Sequence, residues 1–277
     1  MDNWAVEKHD SFMYGFNVKE VLYEKKSRIQ EIKVVATERY GNILFLDNCV
    51  MLSEKWEFIY HEMIAHPVLF THPSPKKVLI IGGGDGGTLR EVLKHPNIRS
   101  VDMVEIDEDV VNVCKEYFPA VSKQINHSKA NILIEDGIKF VANKKNEYDI
   151  ILIDSSDPVG PAEGLFNSTF YKNAMESLRD DGILVAQSES PFFEMSYFKN
   201  AVNNIKKAFP ISMTYTAFIP DYPFGLWSFT MGSKLYDPLH NFNKDNFEKY
   251  KLATKYYNQN IHFAAFSLPN FIKDVIK

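Results

Sequence analysis

Two acidic loops carry the residue types that could do chemistry. One is Gly82-Gly83-Gly84-Asp85-Gly86-Gly87, directly after the apolar run Val78-Leu79-Ile80-Ile81. The other is Asp154-Ser155-Ser156-Asp157-Pro158-Val159-Gly160-Pro161, directly after Ile150-Ile151-Leu152-Ile153. Apolar runs followed by such loops read as strands of an open α/β sheet, whose ligands bind at the carboxyl ends of the strands. A glycine turn before a helix ordinarily attracts anions through free N–H groups and the helix dipole. Here Asp85 stands inside the turn, with Asp154 and Asp157 expected nearby. Such a cluster repels a pyrophosphate and favours a cation, so the site reads as built for small, positively charged molecules.

Gly82, Gly84 and Gly87 fit G-x-G-x-x-G, and Glu105 supplies the acid expected about twenty residues on. Glycines let a nucleoside approach the backbone, while a carboxylate accepts from both ribose hydroxyls. Nicotinamide enzymes and adenosylmethionine-type enzymes share this pattern. Asp85 tips the choice toward an adenosyl sulfonium, because pyrophosphate beside an unpaired carboxylate is costly. Asp136-Gly137 follows the next strand. An acid there serves either an adenine amine or the N-terminus of the following helix, and both roles stay open.

Positioning these groups requires a doubly wound, mostly parallel, seven-stranded Rossmann-like sheet of the methyltransferase type. Its expected strands are 77–82, 100–105, 131–135, 148–153, 182–187, 211–218 and 226–232, the last two forming an antiparallel hairpin. Helices are expected at 87–94, 108–117 and 194–209. The first fifty residues read as strands of a small antiparallel sheet, clearest at 32–37, 42–46 and 49–52. Ser53 is expected to cap a helix running to about Phe70, bent near Pro67. Two units follow, an N-terminal β domain over 1–52 and a catalytic domain over 53–277.

With 45% hydrophobic and 24% charged residues, the chain has the composition of a globular protein. A net charge of -5 argues against a nucleic-acid partner. No run approaches the roughly 20 apolar residues that span a bilayer, so no membrane partner is expected. The first residues lack the pattern of a signal peptide. Cys49 and Cys114 read as buried free thiols of a reducing, cytoplasmic compartment.

Taken together, the chain resembles the polyamine aminopropyltransferases, the spermidine synthases in particular. The resemblance rests on the N-terminal sheet, Phe58-Ile59-Tyr60-His61-Glu62-Met63, the glycine loop, Val104-Glu105-Ile106-Asp107, 154–166 and Gln187-Ser188-Glu189. It implies aminopropyl transfer from decarboxylated S-adenosylmethionine to putrescine, giving spermidine and methylthioadenosine. Cadaverine, agmatine or spermidine are the alternative acceptors. Asp154 would take the amine proton. Tyr60, His61, Asp85, Ser155, Ser156, Asp157 and Tyr222 would hold the amine or the aminopropyl arm. Gln30, Gly82, Gly84, Glu105, Asp136, Gly137 and Pro161 would hold the nucleoside; Glu189 is a weaker candidate for a second carboxylate around the diamine. The family more often has Asp where this chain has Trp56, which would reshape the entrance or cover the N-terminal sheet.

No metal or cofactor is implied, since the sulfonium leaving group is already activated; the donor is a co-substrate. A homodimer or homotetramer is expected. The competing readings are an S-adenosylmethionine-dependent methyltransferase on the same sheet, a non-catalytic polyamine-binding protein and, least favoured, a nicotinamide dehydrogenase. An unperturbed amine near pKa 10.4 and an Asp near 3.9 differ by roughly 6.5 units, or about 9 kcal/mol, so burial must close that gap.

Overall fold

The computed structural model describes residues 3–157, 160–192 and 195–277, with the side chain of Pro161 outside that set. The chain opens with an antiparallel pair, β1 (Trp4–Lys8) and β2 (Met13–Asn17). A four-stranded antiparallel sheet follows in sequential order: β3 (Glu20–Lys26), β4 (Glu31–Ala36), β5 (Asn42–Leu46) and β6 (Cys49–Ser53). Asp47 and Asn48 both take positive φ, 47° and 65°, between β5 and β6. That is the geometry a two-residue hairpin turn demands and Asp and Asn tolerate. The sequence reading had one sheet here and passed over the first three strands. Their runs mix charge, glycine and apolar residues, and the outer strand Glu-Val-Leu-Tyr-Glu-Lys-Lys carries the charges that protect a sheet edge.

Helix α1 (Glu57–Leu69) begins later than Ser53. Ser53 ends β6 instead, its N–H and hydroxyl both donating to Asp221 at 2.9 and 2.7 Å. The helix is buried on nearly every side, as suits a central element rather than a surface one. Pro67 removes the N–H that would bond to Met63, and the Tyr215 hydroxyl donates to that carbonyl at 2.8 Å.

The main sheet has the order β12-β13-β11-β10-β7-β8-β9. Strands β7 (Lys77–Gly82), β8 (Ser100–Glu105), β9 (Ala130–Ile134), β10 (Tyr148–Asp154) and β11 (Leu178–Gln187) run parallel. The hairpin of β12 (Ile211–Phe218) and β13 (Leu226–Ser233) adds antiparallel to β11. β11 starts four residues earlier than the apolar run at 182, because Leu178 pairs with Tyr148 ahead of a bulge, after which the ladder resumes at Ile183. Between and after the strands lie α2 (Gly87–Leu93), α3 (Glu108–Tyr117), α4 (Pro119–Ser122), α5 (Gly137–Ala142), α6 (Ser168–Ser177), α7 (Met195–Ala208), α8 (Lys244–Tyr250), α9 (Gln259–Ala265) and α10 (Asn270–Ile276). The expected first residue of α7, Glu194, lies outside the described residues.

One core packs α1 and the C-terminal aromatics against the sheet, and a second packs α6 and α7 against the other face. The chain winds outward from β7 to β9, then returns to place β10 on the other side of β7. That reversal is the topological switch point, and it sets Asp154 directly opposite Gly82.

Candidate active site

The two loops of the sequence meet through backbone contact. Gly82 has φ 83°, and a Cβ there would stand 2.1 Å from the Asp154 carbonyl oxygen. The next N–H, of Gly83, donates to that carbonyl at 2.8 Å. Gly87 is demanded for another reason: its Cβ would stand 2.3 Å from the His61 ring. Glycine therefore lets strand β10 and helix α1 press against the turn from two sides.

A cleft of about 1080 Å³ opens at this point. Tyr60, His61, Asp85, Asp154, Ser155, Ser156 and Tyr222 line it, all expected at the amine end. So do Gln30, Gly82, Gly84, Glu105, Asp136 and Gly137, expected at the nucleoside end. Asp157 faces a second cavity of about 390 Å³, which meets the first along Met51, Tyr60, Ser155, Ser156 and Tyr222. Pro161 falls in a 3-10 turn, Gly160–Phe166, and its side chain is not among those described. Pro158 and Val159 of the acidic loop also lie outside the described residues.

The carboxylates differ in their surroundings. Asp154 Oδ2 is buried without a hydrogen-bond partner among the described residues. Burial and the charge of Asp85 raise its pKa, against the pull of His61 and of the Thr88 and Tyr60 hydroxyls. Asp85 is held low: burial would raise it, but His61 at 3.2 Å and the Gly87 N–H at 2.6 Å outweigh that. Asp85 is therefore paired, not the unpaired carboxylate expected from the sequence. His61 lies between Glu57, 2.5 Å from Nδ1, and Asp85. Burial works against its charge, yet the two carboxylates push its pKa up to about 10. Tyr60 and Tyr222 wall the cleft with rings 5.8 Å apart. Burial and the Asp154 charge raise both phenols well above 10, so they stay protonated.

At the other end Glu105 is buried and pushed up to about 7, chiefly by burial, although the Asp107 N–H donates to it at 3.0 Å. A Cβ on Gly84 would lie 3.0 Å from its Oε2, which explains glycine there. Gln30 reaches over from the N-terminal sheet and donates to Asp107 at 3.0 Å. Asp136 caps α5, accepting from Ile138 N–H at 2.9 Å, while also lining the cleft. The capping reading is thus observed, at a residue that also borders the cleft.

Several residues at the site escaped the sequence. Glu57 stands four residues before His61, a spacing that could have revealed the pair. Arg90 and Thr88 left no such signal. Glu7 comes from the first hairpin and lines the second cavity with Gln187 and Trp227. Its carboxylate accepts from the Val50 N–H at 2.8 Å and lies 2.6 Å from His9. The weaker candidate Glu189 is bonded to Gln187 at 2.9 Å and lines neither cavity. Gln187 also reaches the Ser155 carbonyl at 3.3 Å. Trp56 lines neither cavity; it packs beside Phe58 against the main core. Cys114 is buried as expected, whereas Cys49 is half-exposed and faces the second cavity.

Among the described residues, one cluster has the donor set of a metal site, His72, Asp149 and Asp181, at the opposite edge of the sheet. The His72 Nδ1 accepts from the Ser74 N–H at 3.2 Å. Its Nε2 therefore keeps the proton, and a ligating lone pair would require that turn to open.

Residues 57–244 match the family described as the spermine/spermidine synthase domain. The chain belongs to the spermine/spermidine synthase family. Residues 3–54 match the spermidine synthase tetramerisation domain. A polyamine aminopropyltransferase of Methanocaldococcus jannaschii is 48% identical over 278 residues, covering 99% of this chain and 95% of that one. A protein of the same name from Bacillus cytotoxicus is 45% identical over 278 residues, covering 100% of both. Among solved structures, a spermidine synthase in complex with the transition state analogue AdoDATO has a TM-score of 0.97 at 40% identity, covering 99% of this chain and 94% of that one. Spermidine synthase from Thermotoga maritima has a TM-score of 0.94 at 40% identity, covering 99% and 93%. Membership of this family makes the enzyme class an aminopropyltransferase rather than a methyltransferase. Among the described residues no helix is long and apolar enough to cross a membrane.

Proposed function

We propose that this enzyme transfers the aminopropyl group of decarboxylated S-adenosylmethionine to putrescine, giving spermidine and methylthioadenosine. The observation that carries the reading is the Asp154 carboxylate, its Oδ2 buried and unpartnered opposite the glycine turn, beside Asp85 and Tyr60. An amine nitrogen attacks the carbon beside sulfur, the carbon–sulfur bond breaks, and neutral thioether leaves. Before the attack the ammonium of the diamine gives its proton to Asp154, which frees the nitrogen lone pair. Burial that raises this carboxyl narrows the roughly 6.5-unit gap between a free amine and a free Asp. Holding nitrogen in line with the carbon supplies most of the remaining acceleration. No metal enters this chemistry, because the sulfonium charge already activates the leaving group.

Asp85, positioned by His61, would hold the positive arm of the donor, Glu105 its ribose, and Asp136 its adenine end, with Gln30, Gly137 and Pro161 beside them. The second cavity, with Asp157, Glu7 and Gln187, would take the far amine of the diamine. The charge of Asp85 would disfavour donor that keeps its carboxylate. The match at 3–54 supports a homo-oligomer, a dimer or tetramer.

The test is incubation with decarboxylated donor and, separately, putrescine, cadaverine, agmatine or spermidine, with mass analysis of the amine. The expected result is an aminopropyl gain, fastest on putrescine, with stoichiometric methylthioadenosine. A faster reaction on another amine would reassign the acceptor, and nucleoside binding without any transfer would overturn the reading.

A further inference from the structure

Behind His61 runs a row of buried charges that the transfer chemistry does not touch. Arg90, on α2, donates from Nη1 and Nη2 to the two Glu57 oxygens at 2.9 and 2.8 Å. Its Nε donates to Glu91 at 2.8 Å. Glu91 is in turn 3.0 Å from His66 and 2.6 Å from Lys94. Glu57 meets His61 Nδ1, and His61 Nε2 faces Asp85. The row thus alternates Arg90, Glu57, His61 and Asp85 in sign, from beneath α2 to the wall of the cleft. The Arg90, Glu57 and His61 side chains are each less than 10% exposed.

Hydrogen-bond logic defines the charge on the ring. Both His61 nitrogens face carboxylate oxygens, and ionised carboxylates only accept, so each nitrogen carries a proton. Desolvating this many charges costs several kcal/mol per ion, and apolar side chains would fasten α1 to α2 more cheaply. What apolar packing cannot do is hold one imidazolium edge-on to one carboxylate. Gly87 sharpens the point, since even a methyl group there would strike the ring.

We infer that Arg90 is a positioning residue for donor recognition: its two-pronged grip aims Glu57, Glu57 aims His61, and His61 holds Asp85 at the cleft wall for the positive arm of the donor. The inference rests on the donor assigned above. It implies that Arg90 matters for a charged arm and not for the nucleoside itself, which Glu105 and Asp136 would hold from the other side of the turn.

Two ligands separate those contributions: decarboxylated S-adenosylmethionine, with the cationic arm, and methylthioadenosine, which lacks it. In Arg90→Lys, which keeps the charge but loses the fork, calorimetry should show donor affinity lower by on the order of tenfold, with methylthioadenosine within about twofold of wild type. KM for the donor should rise with kcat at saturation nearly unchanged. Glu57→Gln keeps the shape and an acceptor for His61 but removes the charge, and should show the same selective loss; it decides the matter should Arg90→Lys not fold. Equal losses for both ligands, or none for either, would overturn the positioning role. A wild-type enzyme that binds both ligands alike would instead sink the assigned donor.

Discussion

Strand β10 begins and ends near an aspartate, and the two could hardly differ more. Asp149 is buried at the start, where its oxygens accept from the Lys76 and Lys77 N–H groups, both at 2.8 Å, and from Arg179 at 2.7 Å. Burial raises its pKa, but these donors outweigh that and hold it below the usual carboxylate range. Asp154, at the other end of the same strand, has one buried oxygen with no partner and a raised pKa. The residue and the strand are the same; the donors differ, and so does the charge of Asp85 beside Asp154. A carboxylate whose valences are filled is a structural tie, whereas one left short is ready to receive a proton.

Substitution by asparagine should expose that contrast in opposite readouts. For Asp154→Asn, steady-state assays should show turnover reduced about 10³-fold, with nucleoside binding retained and the unfolding midpoint no lower than wild type. For Asp149→Asn, denaturant unfolding should show a loss of about 2 kcal/mol, the cost of unpairing donors to a charged group, with near-normal turnover by the folded fraction. If both variants lost stability and kept activity, the distinction between the two ends would collapse.

Glu105 extends the comparison to a third buried carboxylate, the one proposed above to take the ribose. Its pKa is raised to about 7, chiefly by burial. Ribose hydroxyls donate to the ionised form, so binding should lower that pKa and release a proton. Nucleoside affinity should therefore fall as pH drops through about 7. Calorimetry with methylthioadenosine in buffers of different ionisation heat should register the proton, and Glu105→Gln should abolish it.

The smallest effect concerns Glu57 and His61, where every charge is paired. Glu57 is lowered from 4.5 to about 2: burial opposes this, and His61 and Arg90 prevail. A lowered acid contributes stability above its unfolded value and loses it as pH falls toward about 2. His61, raised from 6.5 to about 10, contributes fully below 6.5 and loses that contribution as pH climbs through about 10. Thermal unfolding should be flat between these limits and decline on both sides. Glu57→Gln should flatten the acid limb by roughly 2–4 °C per kcal/mol of contribution lost.

The parallel strands were legible because each holds a short, largely apolar run followed by a polar loop, and covered strands read that way whatever surrounds them. The glycine turn and acidic loop were legible for the same reason, being local. The first hairpin was not, since its apolar and polar residues do not sort by face: Trp4 and Met13 are exposed while Glu7 is buried. Arg90 looked like any helical arginine, and Glu7 like any acid near a terminus. Nothing local says that a residue will cross from one unit of the fold to serve a cavity in another.

From the chain alone came the sheet, its reversal, and the carboxylates that cluster there, because periodicity and turn chemistry act over a few residues. Only the folded molecule decided which carboxylates are satisfied. Asp85 acquired a cation, Asp149 three donors, and Asp154 one oxygen with none. Proton affinity depends on desolvation and on neighbours brought from far along the chain, and these exist only once the strands and helices have packed.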